Sequence, residues 1–143
     1  MVHKGFYESF VKVRKYIFSE IESFPKLTFT GHSLGGAIAT LAALECSLLF
    51  KEKKIFPKPF ISCITFGCPK VGNSNFVKFY NENVDETIRV VNKFDLVTFL
   101  PLMLEHVCKP VILNTSLLIF FKKYKIHSIN IYVKKLKKEN LKI

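Results

Sequence analysis

The chain has 143 residues, a formal net charge of +11 and four cysteines. That length allows one domain with a real core, and 49% hydrophobic against 23% charged residues excludes a disordered chain. No apolar run reaches the roughly 18 residues that a membrane-spanning helix needs, the longest being 37–50 and 111–121. No secretory signal opens the chain, so a cytoplasmic location is the default expectation unless further sequence precedes Met1.

Of the 22 basic residues only Arg14 and Arg89 are Arg; the rest are Lys. An A/T-rich coding sequence accounts for this as well as attraction to an anionic surface does. Nucleic acid is disfavoured as a partner, because Arg is scarce and no nucleic-acid motif is present. Cys46, Cys63, Cys68 and Cys108 form no Cys-x-x-Cys pair and have no zinc-type His spacing, which predicts buried thiols.

Phe6, Phe10, Val13, Ile17, Ile21 and Phe24 step by three and four, which predicts one buried helix face ended by Pro25. A short β-prone run at 27–30 meets Gly31, and 34–51 reads as a long helix rich in Ala and Leu. Pro57 and Pro59 break the chain before a second strand at 60–66. Asn73 can cap a short helix through Tyr80. A third strand at 87–92 leads into a loop to Pro101, and 107–113 is a candidate fourth strand. A final helix over 128–138 crowds Lys134, Lys135, Lys137 and Lys138 near its end. Strands alternating with helices predict an α/β fold with a mainly parallel sheet, whose site lies at the carboxyl ends of the strands.

Gly31-His32-Ser33-Leu34-Gly35 fits G-x-S-x-G. By composition alone such a match is roughly a one-in-twenty event. Its setting, a strand directly before and a helix directly after, is what a nucleophile elbow requires. The turn predicts a strained Ser33, with Gly31 and Gly35 where side chains would collide and with Gly36, Ala37 and Ala39 keeping the helix close to the sheet. The Leu34 N–H, at the helix amino end, is the expected oxyanion donor.

A serine nucleophile needs a His base and an acid to orient it. Asp85 and Asp95 are the only Asp residues. Asp85 precedes the third strand, at the wrong edge of the sheet, whereas Asp95 follows it at the carboxyl edge. His3 lies at the extreme amino terminus, and His32 adjoins Ser33 with its side chain expected to point away and bond beside the elbow. His106 and His127 both satisfy the order Ser, Asp, His. Position favours His127, in the connection before the last helix, and leaves His106 a structural role.

These residues resemble the class 3, fungal-lipase-like branch of the α/β-hydrolase fold over nearly the whole chain. Val2-His3-Lys4-Gly5-Phe6 is similar to its V-H-x-G-F segment, and 29–37 matches its elbow. The segment 64–73 resembles T-F-G-x-P-R-V-G with Lys70 for Arg. The stretch 89–101 resembles R-V-V-H-x-x-D-x-V-P-x-L-P, with Asn92 for His and Leu96 and Thr98 where Pro is usual. Glu105-His106-Val107 looks like its non-catalytic Y-x-H-x-G strand, and 127–132 looks like its H-S-I-x-x-Y ending.

The resemblance implies a serine carboxylic-ester hydrolase acting on acylglycerols or related lipids through Ser33, Asp95 and His127, with no metal or organic cofactor. A peripheral contact with an anionic membrane or lipid-droplet surface is a further expectation. Phe99, Leu100, Leu102 and Met103 are candidates for acyl contact, ordinary loop packing being the alternative. The family also carries strands, a second oxyanion residue and a lid upstream of V-H-x-G-F. The chain starts at that segment, so it is expected to be one amino-terminally truncated domain, and the rival expectation is a catalytically impaired fragment or a lipid-surface binding module.

Overall fold

In the computed structural model the described residues are 1–19, 21, 24–53, 57–114 and 126–138. Four strands, β1 (Lys26–His32), β2 (Phe60–Phe66), β3 (Glu86–Asn92) and β4 (Pro110–Leu113), form a sheet in the order β1-β2-β3-β4. Every neighbouring pair is parallel, with Gly31 opposite Thr65, Thr65 opposite Arg89 and Arg89 opposite Pro110. The helices are α1 (Lys4–Ser19), α2 (Leu34–Glu52), α3 (Ser74–Asn81) and α4 (Ile129–Lys138). A 3-10 turn spans Leu96–Phe99.

Strand alternation sends odd-numbered residues of β2 and β3 to one face and even-numbered ones to the other. On the first face Ile61 and Cys63 meet the Ala-rich side of α2, with Phe10 of α1 and Phe76 and Tyr80 of α3 completing the core. On the second, Phe66, Ile88 and Val90 join Leu113 and Tyr132 of α4. Asn73 caps α3 as expected, its Oδ1 accepting the Phe76 N–H at 3.1 Å. Cys46, Cys63 and Cys68 are buried free thiols and Cys108 is half-buried.

Three expectations change. The fourth strand begins at Pro110, not Val107, because residues 107–109 approach the sheet edge as a bend and only the last four reach ladder register. Helix α1 stops at Ser19, so Ile21 and Phe24 lie beyond it. Val13, read as part of the buried stripe, is 38% exposed and Phe24 is 49% exposed. Among the described residues helix α1 packs chiefly on α2, and one such crossing buries a narrower stripe than periodicity suggests. Helix α2 meets the length and apolarity of a membrane span, and its buried Ala, Leu and Cys residues against β1, β2 and α1 account for that apolarity.

Candidate active site

β1 ends at His32 and α2 begins at Leu34, leaving Ser33 as the whole turn. Ser33 has φ 56° and ψ −124°, a strained conformation for a residue with a Cβ. A serine in the cap position usually spends its hydroxyl on the first-turn N–H groups. Ser33 makes no such bond. Its Oγ lies 2.6 Å from His127 Nε2 instead. Of the first N–H groups of α2, those of Gly36 and Ala37 bond the Ser33 carbonyl at 2.9 and 3.3 Å, and those of Leu34 and Gly35 have no carbonyl four residues back within the helix.

The elbow glycines act unequally. A Cβ on Gly31 would sit 2.2 Å from the Gly35 carbonyl oxygen, so the turn closes only with glycine there. A Cβ on Gly36 would press on Cys68 at 3.0 Å, which sets the approach of α2 to the sheet. Gly35 departs from expectation. Among the described residues a Cβ there meets nothing within 4 Å.

His127 Nδ1 lies 2.8 Å from Asp95 Oδ2 and 3.1 Å from Oδ1. A carboxylate only accepts, so the Nδ1–H donates and Nε2 is left to accept the Ser33 O–H. Asp95 is 1% exposed. It also accepts the Val97 N–H at 3.1 Å and the Tyr132 hydroxyl at 2.7 Å, so three donors meet its two oxygens. Asp95 thus caps the 3-10 turn and holds the imidazole at once. Burial foremost, then the Asp95 carboxylate, pushes the Tyr132 hydroxyl well above the usual tyrosine range, which keeps it a donor.

Asp85 sits at the other end of the sheet, accepting the Ile61 N–H at 2.7 Å and pairing with Lys58 at 3.2 Å. His3 stacks on Phe6 near the amino terminus. His106 lies in the loop before β4 and donates Nε2–H to the Thr98 carbonyl at 2.7 Å, steadying the turn that follows Asp95. Burial, reinforced by the charges of Arg89 and Lys70, lowers its pKa to about 4. In the unfolded chain the same ring titrates near about 6.5, so between those values the unfolded state binds more protons and stability falls on acidification. The urea midpoint should therefore drop more from about pH 7 to about pH 5 in the wild type than in His106→Gln. Equal drops would contradict this.

His32 bonds beside the elbow as expected, and the partner of that bond, like the roles of Asn92, Gly67 and Tyr132, is not legible in the sequence. The His32 Nε2–H donates to the backbone carbonyl of His127 at 2.6 Å, with the rings 4.7 Å apart. Burial lowers the His32 pKa. Asn92 was noted only as a departure from His. Buried completely, it donates Nδ2–H to the Ile126 carbonyl at 2.8 Å. Two successive carbonyls, at 126 and 127, are thereby gripped from two strand ends. Gly67 has φ +57°, and a Cβ there would come within 2.9 Å of both Asp95 Oδ2 and Tyr132 Oη. The signals available were the Gly-x-Pro after β2 and the Tyr one helical turn beyond His127.

Leu102 and Met103, 76% and 90% exposed, project from the loop after Asp95, so packing does not account for them. Leu100 and Phe99 are exposed beside them.

The family model for Lipase (class 3) matches residues 1–105. The chain belongs to the class 3 lipase family. Among its relatives, the chloroplastic phospholipase A(1) DAD1 of Arabidopsis thaliana is 43% identical over 75 residues, covering 52% of this chain and 16% of that protein. Secreted mono- and diacylglycerol lipase 2 of Gibberella zeae is 34% identical over 118 residues, covering 71% of this chain and 27% of that one. The solved structure of a triacylglycerol lipase whose catalytic centre is formed by a serine protease triad aligns with a TM-score of 0.64 at 31% identity. That alignment covers 78% of this chain and 44% of the solved one. This class 3 lipase chain has the α/β-hydrolase type of fold, a parallel sheet flanked by helices. It spans between about a sixth and somewhat under half of the length of these relatives.

Proposed function

We propose that the chain is a serine carboxylic-ester hydrolase acting on acylglycerols or related lipid esters, with Ser33 as nucleophile, His127 as base and Asp95 as the orienting acid. The observation that carries this reading is the continuous hydrogen-bonded path from Ser33 Oγ through both imidazole nitrogens to a buried carboxylate. Ser33 attacks the ester carbonyl as His127 Nε2 takes its proton, and His127 then returns that proton to the leaving alcohol. Asp95 holds the Nδ1–H tautomer and stabilises the imidazolium. The Leu34 N–H points at the developing oxyanion, a type of contact worth about 10² to 10³ in kcat. Water on the same path then releases the acyl group.

The exposed apolar residues beside the acid turn support a lipid-facing mouth, and the surrounding lysines support its contact with an anionic surface. The test is hydrolysis of a short-chain nitrophenyl ester and of a dispersed diacylglycerol. Turnover of both that vanishes in Ser33→Ala is expected. Turnover of equal rate in the variant contradicts the assignment, and liposome binding without turnover favours a binding module.

A further inference from the structure

α2 packs on β1 and β2. On the same face Thr87 at the start of β3 meets Tyr80 of α3 at 2.8 Å, while the later residues Arg89 and Val91 of β3 and Pro110 and Ile112 of β4 face the turn that follows Asp95. Between those strands and that turn lies a cavity of about 640 Å³, within the range of small-molecule sites. Val91, Phe99 and Ile112 give it apolar walls, and Arg89, Lys70 and Lys93 supply three cations. Among the described residues no Asp or Glu lines it, and neither do Ser33, Leu34 and His127.

Arg89 is the decisive residue. It is 4% exposed, its Nε–H donates to the Cys108 carbonyl at 3.2 Å, and Nη1 is enclosed without a hydrogen-bond partner. No carboxylate among the described residues pairs with it. A buried guanidinium with an unused donor is costly unless an anion completes it. Arg presents a fork that matches a carboxylate. Burial lowers its pKa, a pressure that a bound anion would relieve. The apolar walls fit an aliphatic chain and exclude a strongly hydrated ligand.

We infer that this cavity is a second binding site, for a long-chain carboxylate whose head group meets Arg89 and whose chain lies along Val91, Phe99 and Ile112. It is separate from the Ser33 site, and the ligand assignment rests on the cavity rather than on ester hydrolysis. A long-chain carboxylate is also what the proposed reaction releases. Phe99 and Thr98 belong to the turn that Asp95 caps, so an occupant touches the acid's own support.

The test is equilibrium dialysis of radiolabelled palmitate, below its micelle concentration, against the full chain carrying Ser33→Ala. One palmitate per chain is expected, with hexadecanol at least about tenfold weaker because it brings no charge to Arg89. Lys93→Glu should weaken palmitate at least about tenfold and leave hexadecanol unchanged, whereas Ile112→Glu, which sets a carboxylate against the chain at an exposed lip of the cavity, should weaken both ligands at least about tenfold. Arg89→Met should erase the preference for palmitate over hexadecanol, and the two surface variants decide the matter if that variant does not fold. Absence of palmitate binding, binding indifferent to Ile112→Glu and Lys93→Glu, or complete displacement of palmitate by a phosphonate adduct on wild-type Ser33 would each overturn the assignment. Failure of Ser33 to react with the phosphonate sinks the hydrolase reading alone and leaves palmitate binding to be judged by the cavity variants.

Discussion

Asp95→Asn should lower ester hydrolysis about 10⁴-fold while the fold survives. Val97 N–H, His127 Nδ1–H and the Tyr132 hydroxyl all converge as donors on the two Asp95 oxygens. An amide offers one oxygen and one NH₂, so at least one donor is turned against another donor. The imidazole escapes by adopting the other tautomer, which places an N–H against the Ser33 hydroxyl and removes the base. Steady-state kinetics on a soluble ester, beside circular dichroism of the variant, reads this. A loss of less than about tenfold in a folded variant would mean that Asp95 serves only as the cap of the 3-10 turn.

Gly67→Ala is expected to cost both stability and rate, although Gly67 contributes no side chain. Its φ of +57° costs an alanine about 1–2 kcal/mol in stability. The added Cβ would lie 2.9 Å from Asp95 Oδ2 and Tyr132 Oη and 3.2 Å from His127 Cε1. Neither partner can retreat, because Asp95 is tied to the 3-10 turn and Tyr132 also accepts the Asn92 N–H at 3.1 Å. Displacement of about 1 Å in such a constellation costs on the order of 10² in rate. Gly35→Ala, where the new Cβ meets nothing within 4 Å, is the control for stability. The denaturation midpoint of Gly67→Ala should fall and that of Gly35→Ala should hold. Equal midpoints for the two would contradict the packing argument.

The elbow was legible in the sequence because its constraints are local. A β-prone run, one residue of turn and a helix follow in eight or nine positions, and Gly31 is required by contact with Gly35 four residues on. Asp95 was legible by elimination, since the strand direction alone put Asp85 at the wrong edge. His127 was favoured by its place before a helix, and the geometry joins it to both Ser33 and Asp95.

What stayed hidden depends on residues far apart in sequence. His32 grips the His127 carbonyl across 95 positions, and Asn92 grips that of Ile126 across 34. Neither bond has a spacing signature. The role of Tyr132 depends on α4 packing against β3 and β4, which periodicity does not specify. The partial exposure of Val13 has the same origin, for a helix pattern says which face is apolar and not how much of it a neighbour covers. The cavity beside Arg89 could not be read at all, because it arises between β3, β4 and the turn that follows Asp95, which only the tertiary fold brings together.

The central claim is that Ser33 is activated by His127 and Asp95, and reaction with a fluorophosphonate followed by mass spectrometry of the intact chain and its peptides tests it most directly. One adduct is expected, on Ser33, formed at a rate that collapses in Asp95→Asn and absent in Ser33→Ala. Labelling that persists in Ser33→Ala, or an adduct mapped to another residue, would contradict it.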